Sequence, residues 1–309
     1  MPWLRLIRWK NLLIIFLTQL LAWWCVILPE SPEILNTVNF LFLTVSTMLI
    51  AAAGYIINDY FDIKIDSINK PDRIVLEKAI PMRQAILSHS ILNIIALMLA
   101  GYVAAQAHHY EWLLVQVSCT LLLWFYSTDF KRQYITGNIA IALLTSFTII
   151  TLFIYEPALQ LEAQMPLLTG SHSSLPVWVL AVYAYFAFLL TWMREIVKDM
   201  EDFKGDVAEG CVTMPIKRGL EFSTRFTLVL SLLAIIPLLV ASFTLFKHNY
   251  TLLASYLVVL LILPLILWSV FLGKGFTEQH YGKASRGLKI IMLLGICSLL
   301  IYHIQIVYK

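Results

Sequence analysis

Residues 58–66 read NDYFDIKID, and Asp59, Asp62 and Asp66 stand at i, i+3 and i+7 within them. That spacing puts side chains along one face of a helix. It returns 140 residues later in REIVKDMEDFKGD (194–206), as Asp199, Asp202 and Asp206. Stacked carboxylates repel one another, and an Asp at mid-membrane costs about 2.5–3.5 kcal/mol on insertion scales. Divalent cations reverse that balance. Mg²⁺ takes a few carboxylates, retains several waters and is completed by phosphate oxygens of a substrate. Two or more such ions held by facing stripes would match six carboxylates to a diphosphate. All six aspartates are therefore candidate metal ligands and catalytic residues. Asn58, one residue before the first stripe, is a candidate to donate to phosphate or to orient a metal-bound water.

Basic residues accompany both stripes. Lys70 and Arg73 follow the first, Arg194 and Lys198 adjoin the second, and Lys131-Arg132 lies between them in the chain. Arg offers a planar fork to phosphate oxygens and Lys a point charge, so these six are candidate diphosphate ligands, with Arg73 and Lys131 preferred. Solvated acids paired with neighbouring cations would account for one stripe. Two stripes of matched spacing and matched topological position call for a shared purpose.

The elements that carry these residues are apolar. Of the 309 residues 60% are hydrophobic and 13% charged, and the mean hydropathy is +0.80. Soluble domains carry about twice that charged fraction. Segments long enough to cross a bilayer are expected at 12–29, 39–57, 86–105, 111–127, 138–155, 176–193, 226–246, 252–272 and 288–307. With nine spans, the amino terminus and loops 58–85, 128–137, 194–225 and 273–287 share one side and hold 19 Lys and Arg, while the other side has only Lys247 and Lys309. The positive-inside rule places the crowded side, with both stripes, in the cytoplasm and the carboxyl terminus outside. Each stripe follows an even-numbered span, four spans apart. The expected fold is thus all-α: one integral-membrane domain over 1–309, with two four-helix modules plus a ninth helix and helical caps in loops 58–85 and 194–225. The outer loop 156–176 carries no readable motif and has room for a short interfacial helix. The first apolar stretch ends at Pro29 without a small-x-small cleavage site, and is read as a membrane helix. Four dispersed cysteines suggest neither disulfides nor zinc, and His108-His109 reads as a solvated interfacial pair.

These residues resemble the UbiA superfamily of intramembrane prenyltransferases. Asn58-Asp59-x-x-Asp62-x-x-x-Asp66 is similar to its first motif, NDxxDxxxD, and Asp202-x-x-x-Asp206 to its second, with Asp199 a turn earlier. GCVTMPI (210–216), YSTDFKR (126–132) and Gly137-Asn138 resemble neighbouring family segments. Many relatives follow the first motif with Arg-Pro, a small residue and Gly, whereas here the text is KPDRIVLEKAIP. The appearance is nearest the geranylgeranylglycerol-phosphate geranylgeranyltransferase-like branch. The resemblance implies Mg²⁺-dependent transfer of a polyprenyl group from its diphosphate, geranylgeranyl diphosphate for example, to a lipid-soluble acceptor. A prenylglycerol phosphate is the expected acceptor and a quinone-precursor ring the alternative. It also implies the cytoplasmic membrane of a bacterium or archaeon. An allylic cation needs a dry cavity and aromatic faces, for which Trp124, Phe125, Tyr126 and Trp192 are candidates, though an interfacial aromatic belt explains them equally.

Other classes fit less well. An ion-coupled transporter predicts acids near mid-span and helices interrupted by Gly or Pro. Here acids cluster at span ends, and mid-span proline is limited to Pro237 and Pro264. A CDP-alcohol phosphotransferase would show one Asp-Gly-containing acidic cluster. Gly273-Lys274-Gly275 lacks the context of a nucleotide loop, and the cations are accounted for by topology, which leaves no nucleic-acid surface.

Overall fold

The computed structural model describes residues 1–69, 74–169, 175–275 and 277–307. The described residues are predominantly helical. In chain order these are α1 (Pro2–Leu6), α2 (Trp9–Ala22), α3 (Thr37–Phe61), α4 (Ile63–Asn69), α5 (Met82–Gln106), α6 (Leu113–Thr128), α7 (Thr136–Ile154) and α8 (Pro157–Thr169). They continue with α9 (Leu175–Glu201), α10 (Phe203–Ala208), α11 (Met214–Arg218), α12 (Leu220–Lys247), α13 (Thr251–Tyr256), α14 (Leu263–Leu272) and α15 (Glu278–Tyr302). A wide π-type turn extends α2 and another joins α13 to α14.

Among the described residues eight helical stretches are long and apolar enough to cross a membrane. The expected fourth span is the exception. Its helix, α6, has 16 residues, about 24 Å at the α-helical rise, and a 3₁₀ turn at Tyr110–Trp112 precedes it. Sequence hydropathy cannot separate those two pieces. Membrane character shows in which side chains face outward. Along α12, Leu232, Ile236, Val240 and Phe243 are exposed while Ser223, Thr227, Ser231 and Ser242 are buried. That is the reverse of a water-soluble helix, and it suits a helix with lipid on one side and small polar contacts on the other. Loop 156–176 contains α8, as expected, and the caps contain α4, α10 and α11.

The chain groups into two compact units, residues 1–131 with 147–184 and residues 132–146 with 185–309, the boundaries falling between Lys131 and Arg132, inside α7 and inside α9. In the first unit, α3 and α5 are tied by Ser46 Oγ to the Ala96 carbonyl (2.7 Å) and by the His89 ring to the Ala53 carbonyl (3.0 Å). Gly54 allows α6 to close on α3. A Cβ there would come within 2.8 Å of the Leu123 methyls. The cap is seated by Leu76 and Ile80, which cluster with Leu6, Ile56 and Ala85. In the second unit, Leu189, Met193, Leu230, Leu265, Trp268 and Leu288 share a core, and the Trp268 indole donates to the Ala284 carbonyl at 2.8 Å.

Candidate active site

In the first unit α3 does not run straight through its stripe. It ends at Phe61, Asp62 stands at φ −94°, ψ 2°, and α4 starts at Ile63. The hydrogen-bond ladder nevertheless passes across the break, Asp62 N–H donating to Asn58 O (3.0 Å) and Asp66 N–H to Asp62 O (2.8 Å). The second unit repeats this arrangement. There α9 ends at Glu201, Asp202 stands at φ −91°, ψ 7°, and α10 starts at Phe203. Asp202 N–H donates to Lys198 O (2.9 Å) and Asp206 N–H to Asp202 O (3.2 Å). The expectation of one uninterrupted helical face is therefore corrected in the same way twice. The middle aspartate of each stripe occupies the sparsely populated bridge region at the end of a long helix, and the third lies on a short helix beyond it.

The side chains around the first break are engaged. Asp62 accepts from Asn58 Nδ2 at 2.8 Å and from Lys131 Nζ, whose side chain is only 8% exposed. Asp59 accepts from the Arg8 guanidinium at 2.7 Å. Arg8 also lies over the Tyr55 ring, 5.0 Å from its centroid. It reaches there because it adopts a left-handed conformation, φ 50°, between α1 and α2. Burial is the largest single effect and would lower the Arg8 pKa, but the charge and hydrogen bond of Asp59 act together with Tyr55 and Asp66 to hold the guanidinium above its usual value. In the sequence Arg8 is one of the amino-terminal cations that topology accounts for. Its approach to Asp59 depends on a backbone kink that no motif announces.

In the second unit Asp199 accepts from Asn138 Nδ2 at 2.9 Å, and Asp206 is buried. Arg194 Nη1 and Lys198 Nζ both turn to Glu195, at 2.8 and 3.4 Å. Glu195 is a buried acid outside both stripes. Arg132 has an exposed side chain, and its carbonyl accepts from Val212 N–H at 2.7 Å, which fastens the GCVTMPI segment. Lys70 and Arg73 lie outside the described residues. Trp124 meets Phe61 edge-on at 6.0 Å, and Phe125 is exposed. Trp192 packs on Phe188 and Phe226 within the second unit.

Among the described residues no three acids, histidines or cysteines converge as a ready-made metal cage. The donor set still suits Mg²⁺, which needs only one or two carboxylates and fills its octahedron with water and phosphate oxygens. Asn58 Oδ1 supports that fit, because it is buried beside Asp62 with no partner among the described residues. An unsatisfied buried acceptor next to a carboxylate can receive a hydrogen bond from a metal-bound water. Asn138 orients Asp199 in the same sense. If Asp199 holds a metal, Asn138→Ala is expected to lower kcat/KM about 10–100-fold with little change in thermal stability, the effect of losing a ligand's hydrogen-bond partner. Steady-state kinetics beside a melting curve would check it.

The fold and these two aspartate-lined helix breaks define a polytopic helical membrane enzyme with carboxylate sites suited to a phosphorylated substrate. The sequence profile of the UbiA prenyltransferase family matches residues 15–278, and the chain belongs to that family; it is a prenyltransferase. A digeranylgeranylglyceryl phosphate synthase of Methanosphaera stadtmanae is 27% identical to it over 304 residues, 96% of this chain and 97% of the relative. Another, from Thermococcus kodakarensis, is 32% identical over 271 residues, 87% of this chain and 86% of the relative. A solved structure from work on digeranylgeranylglyceryl phosphate synthase in membranes superposes with a TM-score of 0.64 at 27% identity, covering 99% of this chain and 98% of that one. A UbiA homologue from Archaeoglobus fulgidus, bound to GPP and Mg²⁺, shares the fold with a TM-score of 0.61 at 15% identity, covering 97% of this chain and all 100% of that one.

Proposed function

We propose that this enzyme transfers a polyprenyl group from a polyprenyl diphosphate, such as geranylgeranyl diphosphate, to the free hydroxyl of a prenylglycerol phosphate, with Mg²⁺ as cofactor. The repeated break geometry carries the reading: two stripes of three aspartates, the first with a buried lysine on its central member. The activity named for the archaeal relatives supports the acceptor class. The homologue bound to GPP and Mg²⁺ supports the donor and the metal.

When bound, Mg²⁺ neutralises the charge that develops on the departing diphosphate. Asp59, Asp62 and Asp66 would hold one metal group and Asp199, Asp202 and Asp206 another, and Asn58 Oδ1 would accept from a metal-bound water beside the first. Lys131 and Arg8, now paired with Asp62 and Asp59, can turn to phosphate oxygens once those carboxylates are engaged. Arg73, Lys70 and Arg132 are further cations for the diphosphate. The bond from the prenyl C1 to the diphosphate oxygen breaks with its electron pair leaving on diphosphate. The acceptor oxygen bonds to C1, and its proton passes to water at the mouth of the site. Aromatic faces such as those of Phe61 and Trp124 can shelter positive charge on the allylic carbons. The positive-inside distribution supports a cytoplasmic face for this chemistry.

The test uses purified full-length protein in detergent with labelled geranylgeranyl diphosphate and separate acceptors: geranylgeranylglycerol phosphate, 4-hydroxybenzoate and dihydroxynaphthoate. Transfer to the glycerol phosphate alone, abolished by EDTA and restored by Mg²⁺, is the expected result. Transfer only to an aromatic ring would replace the acceptor, and metal-independent transfer would overturn the carboxylate assignment.

A further inference from the structure

Glu195 lies four residues before Asp199, one helical turn and about 6 Å back along α9. It is 5% exposed, between fully buried Met193 and Ile196. A carboxylate at that depth in an apolar helix is costly and marks a functional position by default. Arg194 and Lys198 neutralise it, at 2.8 and 3.4 Å, and remain about one-third exposed. One turn deeper on the same face stands Thr191, 3% exposed, whose hydroxyl has no partner among the described residues. Buried Thr and Ser hydroxyls in membrane helices commonly bond the carbonyl four residues back, as Thr227 and Ser242 do here at 2.8 and 2.7 Å. The Thr191 hydroxyl does not, and its hydrogen-bonding capacity is unused among the described residues.

These groups combine two cations with a carboxylate and a free hydroxyl. A prenyl diphosphate has no hydroxyl to donate to Glu195, whose charge would oppose it. A glycerol phosphate has both a phosphate for the cations and a hydroxyl for the carboxylate. Arg has five donors, so Arg194 can hold Glu195 and a phosphate oxygen together. We infer that Thr191, Arg194, Glu195 and Lys198 recognise the head group of the acceptor, Arg194 and Lys198 binding its phosphate and Glu195 and Thr191 its glycerol oxygens. This deepens the function proposed above and rests on it.

The experiment measures KM separately for geranylgeranylglycerol phosphate and for geranylgeranyl diphosphate, in full-length wild type, Thr191→Val and Glu195→Gln. Thr191→Val removes a hydroxyl with no partner among the described residues, so its melting temperature should hold while acceptor KM rises about 3–10-fold. Glu195→Gln should raise acceptor KM about tenfold or more, with donor KM unchanged in both. Arg194→Gln should shrink the preference for the phosphorylated acceptor over geranylgeranylglycerol. Acceptor KM unmoved in Thr191→Val and Glu195→Gln, or donor KM moved instead, overturns this inference while transfer by the wild type keeps the function intact. If the wild type transfers to no glycerol phosphate, the functional reading falls and this assignment with it.

Discussion

Asp62→Ala should reduce prenyl transfer about 10³-fold or more, the scale seen when a preorganised charge at a reacting centre is removed. Asp62 stands at the helix break, where it accepts from Asn58 and from the buried Lys131. Its removal takes away a candidate metal ligand and also frees the two side chains it positions. Leaving a buried cation without its counterion is itself destabilising by about 3–5 kcal/mol, so the alanine variant needs a companion. Asp62→Asn keeps the shape and one acceptor oxygen and should melt closer to wild type while remaining inactive. Transfer assays beside thermal unfolding in the same detergent separate the two effects. Activity within tenfold of wild type in a folded Asp62→Asn protein would remove Asp62 from the chemistry.

The second large effect concerns stability at the other end of the first unit. Glu156 is 1% exposed and accepts three successive backbone N–H groups, from Glu33 at 2.9 Å, Ile34 at 3.2 Å and Leu35 at 2.9 Å. These donors belong to the turn that leads into α3, where the Asn36 side chain caps the helix by accepting from Val38 and Asn39. Trp23 joins the same knot, donating to the Leu35 carbonyl at 2.7 Å and stacking on Phe40 at 4.4 Å. Glu156→Ala would orphan three donors at once. A loss of about 3–5 kcal/mol and a fall in melting temperature of roughly 10 °C are expected, with KM for both substrates unchanged in the surviving fold. Glu156→Gln, which keeps one acceptor oxygen, should fall between. A melting temperature within a degree or two of wild type in Glu156→Ala would show that water replaces the carboxylate at no cost.

How much of the site was legible in sequence differs residue by residue. The six aspartates and Asn58 were readable because charge is so scarce in an apolar chain that a repeated spacing stands out. Lys131 was readable as a cation in a short loop, whereas its pairing with Asp62 was not. Arg194 and Lys198 were readable as cations, but their partner Glu195 was not, because one more acid among six beside a span end carries no periodicity of its own. Arg8 was hidden among cations that topology requires in any case. The length of α6 was hidden too, since hydropathy averages over the 3₁₀ turn that shortens it.

By itself, then, the sequence determined the solvent, the helical class and the presence of two matched carboxylate stripes. Those properties follow from composition and from periodicities of a few residues, which local stereochemistry converts directly into structure. Only the tertiary structure decided that each stripe is broken at its middle aspartate, that Arg8 folds back 51 positions to Asp59, and that Glu156 closes a turn more than 120 positions away. Those are contacts between segments distant in the chain. They are chosen by which buried donors and charges would otherwise go unpaired in an apolar bundle, a condition that no local stretch of sequence expresses.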